Sequence, residues 1–336
     1  MKALLALAAM LCVSACFGPP RDHWRQTEAW RRISVEAKPV RVDEDRYGAL
    51  TFRGGIELTS RDRAFGGLSD LSVGADGALI AISDSGMWLR AQLQSDETGA
   101  PRALSGVRLA VLRDERGRRF KSGATRDSEG LARLSDGRLA VSYERETRVL
   151  VHDLDALGPT AAGARGPRLR GVEDLHPNTT LEAITQLRDG RLLIGAERDA
   201  HGYAPFWITP LDAQAPVATI GRLKLPFGYG LSGMALLPDG DVVALIRAYG
   251  PVVGAYARLL RLDGAALEQG IVRATPLAQL RAPLPLDNFE GVAAAALPGG
   301  GARLYLVSDD NYMPTQRTLL YVFDLTPPQR PRRASS

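Results

Sequence analysis

The 336-residue chain is predicted to be all-β: a β-propeller of five four-stranded blades, with six as the alternative count, closed into a ring by an N-terminal strand. Three observations predict this. A hairpin unit recurs along the chain. Its turn glycines, Gly77, Gly137, Gly190 and Gly240, stand 60, 53 and 50 residues apart. The last copy stops one strand short, while an unpartnered strand waits near the N-terminus. A period of about 40–50 residues or somewhat more, with several strands per repeat, is what propeller blades leave in a sequence.

The clearest copy is DSEGLARLSDGRLAVSYERETRVLVHDL, Asp127 to Leu154. An apolar strand meets an Asp136-Gly137 turn, an alternating strand follows, and a third comes after a polar break. Asp-Gly between two alternating runs is the strongest short-range hairpin signal, because glycine supplies the positive φ of a tight turn. Related copies are LSDLSVGADGALIAISDSG, LEAITQLRDGRLLIGAERD, LSGMALLPDGDVVALIRAY and FEGVAAAALPGGGARLYLVSDDN, the last turning on Gly299-Gly300-Gly301.

Taken in order, residues 1–15 carry an early lysine and an apolar run too short for the ~20 residues a bilayer span needs, so they are expected to be a signal peptide. Val13-Ser14-Ala15-Cys16 resembles a bacterial lipobox, which implies cleavage before Cys16 and lipidation there; an ordinary signal peptide is the competing reading. Phe17 follows instead of aspartate, which favours the outer membrane over the inner, facing the periplasm. Residues 16–45 are polar and proline-bearing, as expected of a tether. Arg46–Leu58 reads as strand without a hairpin partner. Blades are expected over Phe65–Gly123, Arg126–Arg170, Asn178–Leu225, Tyr229–Leu280 and Asp287–Leu325. A sixth would have to hide in Met87–Arg119 or in the N-terminal strands. The propeller thus occupies 46–326, and 327–336 is a disordered tail by composition.

Cys12 lies within the signal, so the mature chain has no cysteine pair, no disulfide and no Cys-ligated zinc. The net charge of +4 rests on arginine, lysine occurring only at Lys2, Lys38, Lys121 and Lys224. The arginines are scattered over turns and strand ends with no basic helix, which argues against nucleic acid. A monomer acting on a small anionic or ester substrate is expected.

The candidate site comes from counting. Eight residues before each turn glycine stand Ser69, Glu129, Glu182 and Ser232, with Glu290 in the fifth copy; seven after stand Asp84, Glu144, Glu197 and Arg247, with Asp309 in the fifth. In an antiparallel hairpin these two positions share one end of the ladder, so all ten are expected at one mouth of the ring. Seven are carboxylates, and such crowding calls for arginines or a cation. Arg145, Arg198 and Arg247 are one compensator; calcium, or another divalent cation, is the other. We assign Glu129, Glu182, Glu290, Arg198 and Arg247 to catalysis. Asp84, Glu144, Glu197 and Asp309 are assigned to metal, and Ser69, Ser232, Arg145, Asp310 and Asn311 to substrate binding. The structural reading, in which these residues cap amides and bridge blades, competes on equal terms. GLSG at Ser232 lacks the G-x-S-x-G context of a nucleophile, and His201 follows the Glu197-Arg198 pair in a loop.

The phrases GGLSDL, DSEGLA, LEAITQLRDGRLLIGAER, GLSGMALLPDG, DNFEGVA and LYLVSDDNY resemble the bacterial phytase-like family described as having esterase-like activity of phytase, over roughly Phe65 to Leu325. The resemblance implies a secreted propeller that hydrolyses ester or phosphoester bonds. The alternative function is a non-catalytic propeller that holds a ligand or envelope protein on the same mouth.

Overall fold

The structure, a computed structural model, describes residues 29–250 and 254–326. The signal peptide, Cys16 and the tail lie outside the described residues. The chain forms five antiparallel sheets arranged as a five-bladed propeller. Blade I comprises Leu68–Val73, Ala78–Ser83, Met87–Ser95 and Pro101–Val111. Blade II comprises Ser128–Arg133, Leu139–Tyr143, Arg148–His152 and Ala164–Arg165, and blade III Leu181–Gln186, Leu192–Ala196, Tyr203–Thr209 and Gly221–Lys224. Blade IV comprises Gly230–Leu236, Val242–Gly250, Gly254–Leu262 and Ala274–Leu280. Met87–Arg119 supplies the outer half of blade I, so no sixth blade is hidden there.

Blade V is built from both ends of the chain. Asn288–Ala296, Ala302–Asp309 and Thr318–Leu325 lie side by side, and Leu50–Thr59 adds the fourth strand, with Thr318 opposite Leu58 and Leu325 opposite Leu50. The N-terminal strand closes the ring as expected, and closure removes a sheet edge that would otherwise stay unpaired.

The segment before it differs from the tether expectation. Arg31–Arg32 pairs with the outer strand of blade I, and Glu36–Val40 pairs with the closing strand. Both outer edges accept one more strand, and Ile33, Val35 and Ala37 pack against the core, so this polar stretch gains ladder bonds and apolar contact.

Each blade interface is filled by one apolar cluster, and strand alternation decides which residue enters which. In blade I, Leu79 and Ala81 face blade V, while Ile80 and Ile82 face blade II. In blade III, Leu193 faces blade IV and Ile194 faces blade II. In blade V, Leu304 and Leu306 face blade IV, while Tyr305 and Val307 face blade I. Period-two side-chain direction makes these inner strands apolar on both faces. Such strands are rigid walls around the axis, and they set where their polar ends lie.

Candidate functional site at the acidic mouth

The five inner hairpins end alike. The backbone N–H of Asp84 donates to the carbonyl of Gly67 at 3.0 Å, that of Glu144 to Asp127 at 2.9 Å and that of Glu197 to Thr180 at 2.9 Å. Arg247 stands opposite Gly230, and Asp309 opposite Asn288. The two counted positions therefore share one end of the ladder in every blade.

A bulge sits at that end each time. The register slips between Leu68 and Asp70, Leu181 and Ala183, Leu231 and Gly233, and Phe289 and Gly291. In blade II, Glu129 and Gly130 together oppose the single residue Ser142. A bulge takes one residue out of the alternation and re-aims its side chain; those residues are Ser69, Glu129, Glu182, Ser232 and Glu290. Glycine follows the bulge where the next blade comes close. A Cβ at Gly291 would lie 2.6 Å from Cα of Asp70, and one at Gly130 would lie 2.7 Å from the carbonyl of Glu182.

The mouth holds two overlapping acidic groups. Ligand atoms of Asp127, Glu129 and Glu144 lie within 4.8 Å of one another, and so do those of Glu144, Glu182 and Glu197. Glu144 belongs to both. Glu144, Glu182 and Glu197 are only 7%, 5% and 8% exposed, and no described residue donates a hydrogen bond to their carboxylates. Burial pushes Glu144 up to about 8, with Asp127 and Glu197 adding to the effect and Arg145 and Arg247 opposing it. Burial also holds Glu182 and Glu129 well above the usual carboxylate range, reinforced by the neighbouring acids, Glu144 first for the one and Glu182 first for the other. Asp127 is pushed up to about 6 by burial, against the pull of Arg145 and Arg126.

The other side of the mouth is better compensated. Arg247 Nε donates to Glu290 Oε2 at 2.7 Å, and Asn288 Nδ2 to Glu290 Oε1 at 2.6 Å. Arg145 pairs with Asp127 at 2.8 Å. Arg198 is half-buried and forms no ion pair with a described residue.

Asp84 and Asp309 meet between blades V and I. Burial drives both up, Asp84 to about 7, where Asp127 adds to the rise and Arg126 opposes it; Asp84 is in turn the largest charge acting on Asp309. Gly67, at φ +62, makes this possible, since a Cβ there would lie 2.4 Å from Asp84 Oδ1 and 2.6 Å from the Tyr312 ring. Asn311 and Tyr312 both adopt positive φ, 47° and 53°, which is uncommon for a bulky residue. Their backbone N–H groups donate to Asp309 and Asp310, at 2.6 and 3.1 Å, and fix that turn. Asp310 also accepts from Gly67 N and Thr318 Oγ1, at 2.9 and 3.0 Å, so its oxygens serve the fold.

The counted serines lie within the wall. Ser69 donates to the Gly67 carbonyl at 3.5 Å, and Ser232 to the carbonyls of Leu245 and Phe289 at 3.4 and 3.2 Å. His201 is exposed. The counting missed Asp127, Asn288 and Tyr312. It also missed Asp70, a wholly buried carboxylate that accepts from the backbone N–H of Leu71 and, across the blade boundary, of Leu131, at 2.8 and 2.7 Å. An aspartate inside LSDLSV was the available signal, since alternation places it on a buried face.

Eight carboxylates (Asp84, Asp127, Glu129, Glu144, Glu182, Glu197, Glu290 and Asp309) thus surround Arg126, Arg145 and Arg247. The ligand set is oxygen only, and among the described residues no group donates a hydrogen bond to the carboxylates of Glu144, Glu182 and Glu197 or to Asp84 Oδ1. That chemistry fits a hard divalent cation such as calcium.

Fold and site together define a five-bladed propeller with an acidic, cation-compatible mouth. The family described as phytase-like, with esterase-like activity of phytase, matches residues 63–312, and the chain belongs to that family. No curated protein matches the sequence. Among solved structures the chain is similar to a gluconolactonase candidate, at 13% identity over 89% of this chain and 93% of that one, TM-score 0.44. It is also similar to the PQQ-bound aldose sugar dehydrogenase of Streptomyces coelicolor, at 15% identity over 87% and 98%, TM-score 0.40. A third is virginiamycin B lyase of Staphylococcus aureus, at 9% identity over 87% and 100%, TM-score 0.41.

Proposed function

We propose that the mouth is the reaction centre of a hydrolase acting on phosphoester or carboxylic ester bonds of a small anionic or ester substrate. The observation that carries this is the buried, unpartnered set Glu144, Glu182 and Glu197 beside the Arg247 guanidinium. A divalent cation held by these carboxylates, calcium foremost, would polarise the ester oxygen it contacts. The chain's own groups supply the rest. Arg247 is oriented through Nε by Glu290 and has no second acceptor among the described residues, so its remaining donors suit a phosphate or carboxylate. Glu129, which lies outside that set and has its pKa raised by burial and by Glu182, is suited to hold and pass a proton. The strained turn at Asn311-Tyr312 fixes the far wall of the mouth.

A panel of p-nitrophenyl esters and phosphates, assayed with calcium and with chelator, tests the reading. We expect turnover that chelation removes and that Glu129→Gln lowers by about 10²-fold or more, the usual worth of a positioned acid or base. No turnover above an empty-vector control under any metal overturns it. The same reading has the chain lipid-anchored at Cys16, on the periplasmic side of the outer membrane, as a monomer.

A further inference from the structure

We propose that the mouth binds two divalent cations side by side at the junction of blades II and III, with the Glu144 carboxylate bridging them. The inference rests on the cation part of the proposed function and not on hydrolysis.

Comparing the blades locates the pair. Blade IV places Ser232 and Arg247 at its two rim positions, and Arg247 neutralises Glu290 of blade V. Blade I places Ser69 beside Asp84. Only blades II and III put a glutamate at both positions, Glu129 with Glu144 and Glu182 with Glu197. Blade V has the acids Glu290 and Asp309, the first held by Arg247 and Asn288; in blades II and III the distances group the acids around one residue, since the two sets of ligand atoms within 4.8 Å share Glu144 and nothing else.

Hydrogen bonding adds a second observation, with Asp84 Oδ1 between blades V and I as a further carboxylate oxygen that has no donor among the described residues. Carboxylates buried in proteins accept hydrogen bonds or pair with cations. Asp70 and Asp310 follow this rule, with donors on their oxygens. Glu144, Glu182 and Glu197, each more than nine-tenths buried, accept none from a described residue. Three carboxylates oriented towards one another without donors present ligand oxygens to a common point, as calcium coordination by several carboxylates requires. A carboxylate has two oxygens, so Glu144 is able to face a cation on either side.

The two positions are unequal. In the outer one Asp127 already pairs with Arg145 at 2.8 Å, and Asp127 and Glu129 are half-buried. In the inner one, no described arginine forms an ion pair with any of the three members. The inner position, Glu144-Glu182-Glu197, binds first, and the outer one, Asp127-Glu129-Glu144, second.

The experiment titrates calcium chloride calorimetrically into the chelator-treated full chain and reads the melting temperature alongside. We expect two calcium ions per chain in two resolved steps, each raising the melting temperature. Glu182→Gln removes the first step and keeps one weak ion, whereas Glu129→Gln removes only the second. Glu144→Gln weakens both by more than the roughly 10–100-fold that loss of an outer partner costs. Without calcium, each of the three variants melts in a single cooperative transition, which establishes that the variant is folded. Asp136→Asn, on the opposite face, leaves both steps unchanged. One ion or none, or a Glu144→Gln protein that still binds two, overturns the inference, as do Glu129→Gln and Glu182→Gln proteins that lose the same step. Should Glu144→Gln not fold, the contrast between the other two variants decides. Two bound ions with no turnover on any ester would leave this inference standing and remove the hydrolase reading.

Discussion

Arg247 and Glu290 illustrate how one residue changes the chemistry of a repeated frame. The other four blades place an acid at the Arg247 position, and at Asp84, Glu144 and Asp309 burial raises the pKa of the carboxylate. At Arg247 the same position instead donates to its neighbour, and Glu290 is the rim glutamate with both oxygens occupied. His152 is the buried titratable group on the far side of this logic. It is wholly enclosed, its ring edge-on to Trp88 with centroids 5.4 Å apart. Burial pushes its imidazole from 6.5 down to about 4, with the Ala161 backbone offsetting part of the effect. The folded chain therefore refuses a proton that the unfolded chain takes up. Stability from this residue is complete above about pH 6.5 and is lost as pH falls towards 4. We expect the unfolding free energy from urea melts to drop over that window, by roughly 3 kcal/mol for this group. His152→Phe, which keeps the aromatic contact, flattens the drop; an unchanged pH slope would show that other groups cause it.

At the scale of the element, the bulge and the closing strand do the positioning. The hairpin count was legible in the sequence because turn glycines and period-two alternation are local properties. The bulge was not, since nothing in GLSG, LEAI or FEGV marks a register slip until a partner strand is present. Fixed spacing from the turn glycine located the bulged residue all the same, because each inner hairpin carries the same slip. The closing strand was legible as an orphan, and its pairing followed from the missing fourth strand of blade V. Its energetic weight is testable. Ile56 is fully buried in the cluster between blades V and I. Ile56→Ala is expected to lower stability by about 2–5 kcal/mol, as large-to-small core changes do. Chemical denaturation should show one transition moved as a whole. A separate early transition confined to blade V would contradict ring-wide cooperativity.

For the whole molecule, closing the ring converts five weak local signals into one site. A net charge of +4 says nothing of an acidic mouth, because the arginines pair with turn aspartates around the periphery, as Arg138 with Asp136, Arg191 with Asp189 and Arg261 with Asp239 and Asp241. The envelope placement also belongs to this scale. If Cys16 carries the anchor, Cys16→Ala moves the chain from the membrane fraction to the soluble periplasmic fraction without altering its melting temperature. A chain that stays membrane-bound would remove the lipid-anchor proposal.

By itself the sequence determined the blades, the strand that closes them and the acids that share a rim. Each of these follows from alternation, turn chemistry and spacing, which act over a few residues. Only the tertiary structure decided which acids have donors and which do not. Asp70 and Glu290 are satisfied by groups 61 and 43 residues away, whereas Glu144, Glu182 and Glu197 are brought together and accept no hydrogen bond from a described residue. The strength of a buried charge depends on what surrounds it in space, and across a blade boundary that is set by ring closure rather than by neighbours in the chain.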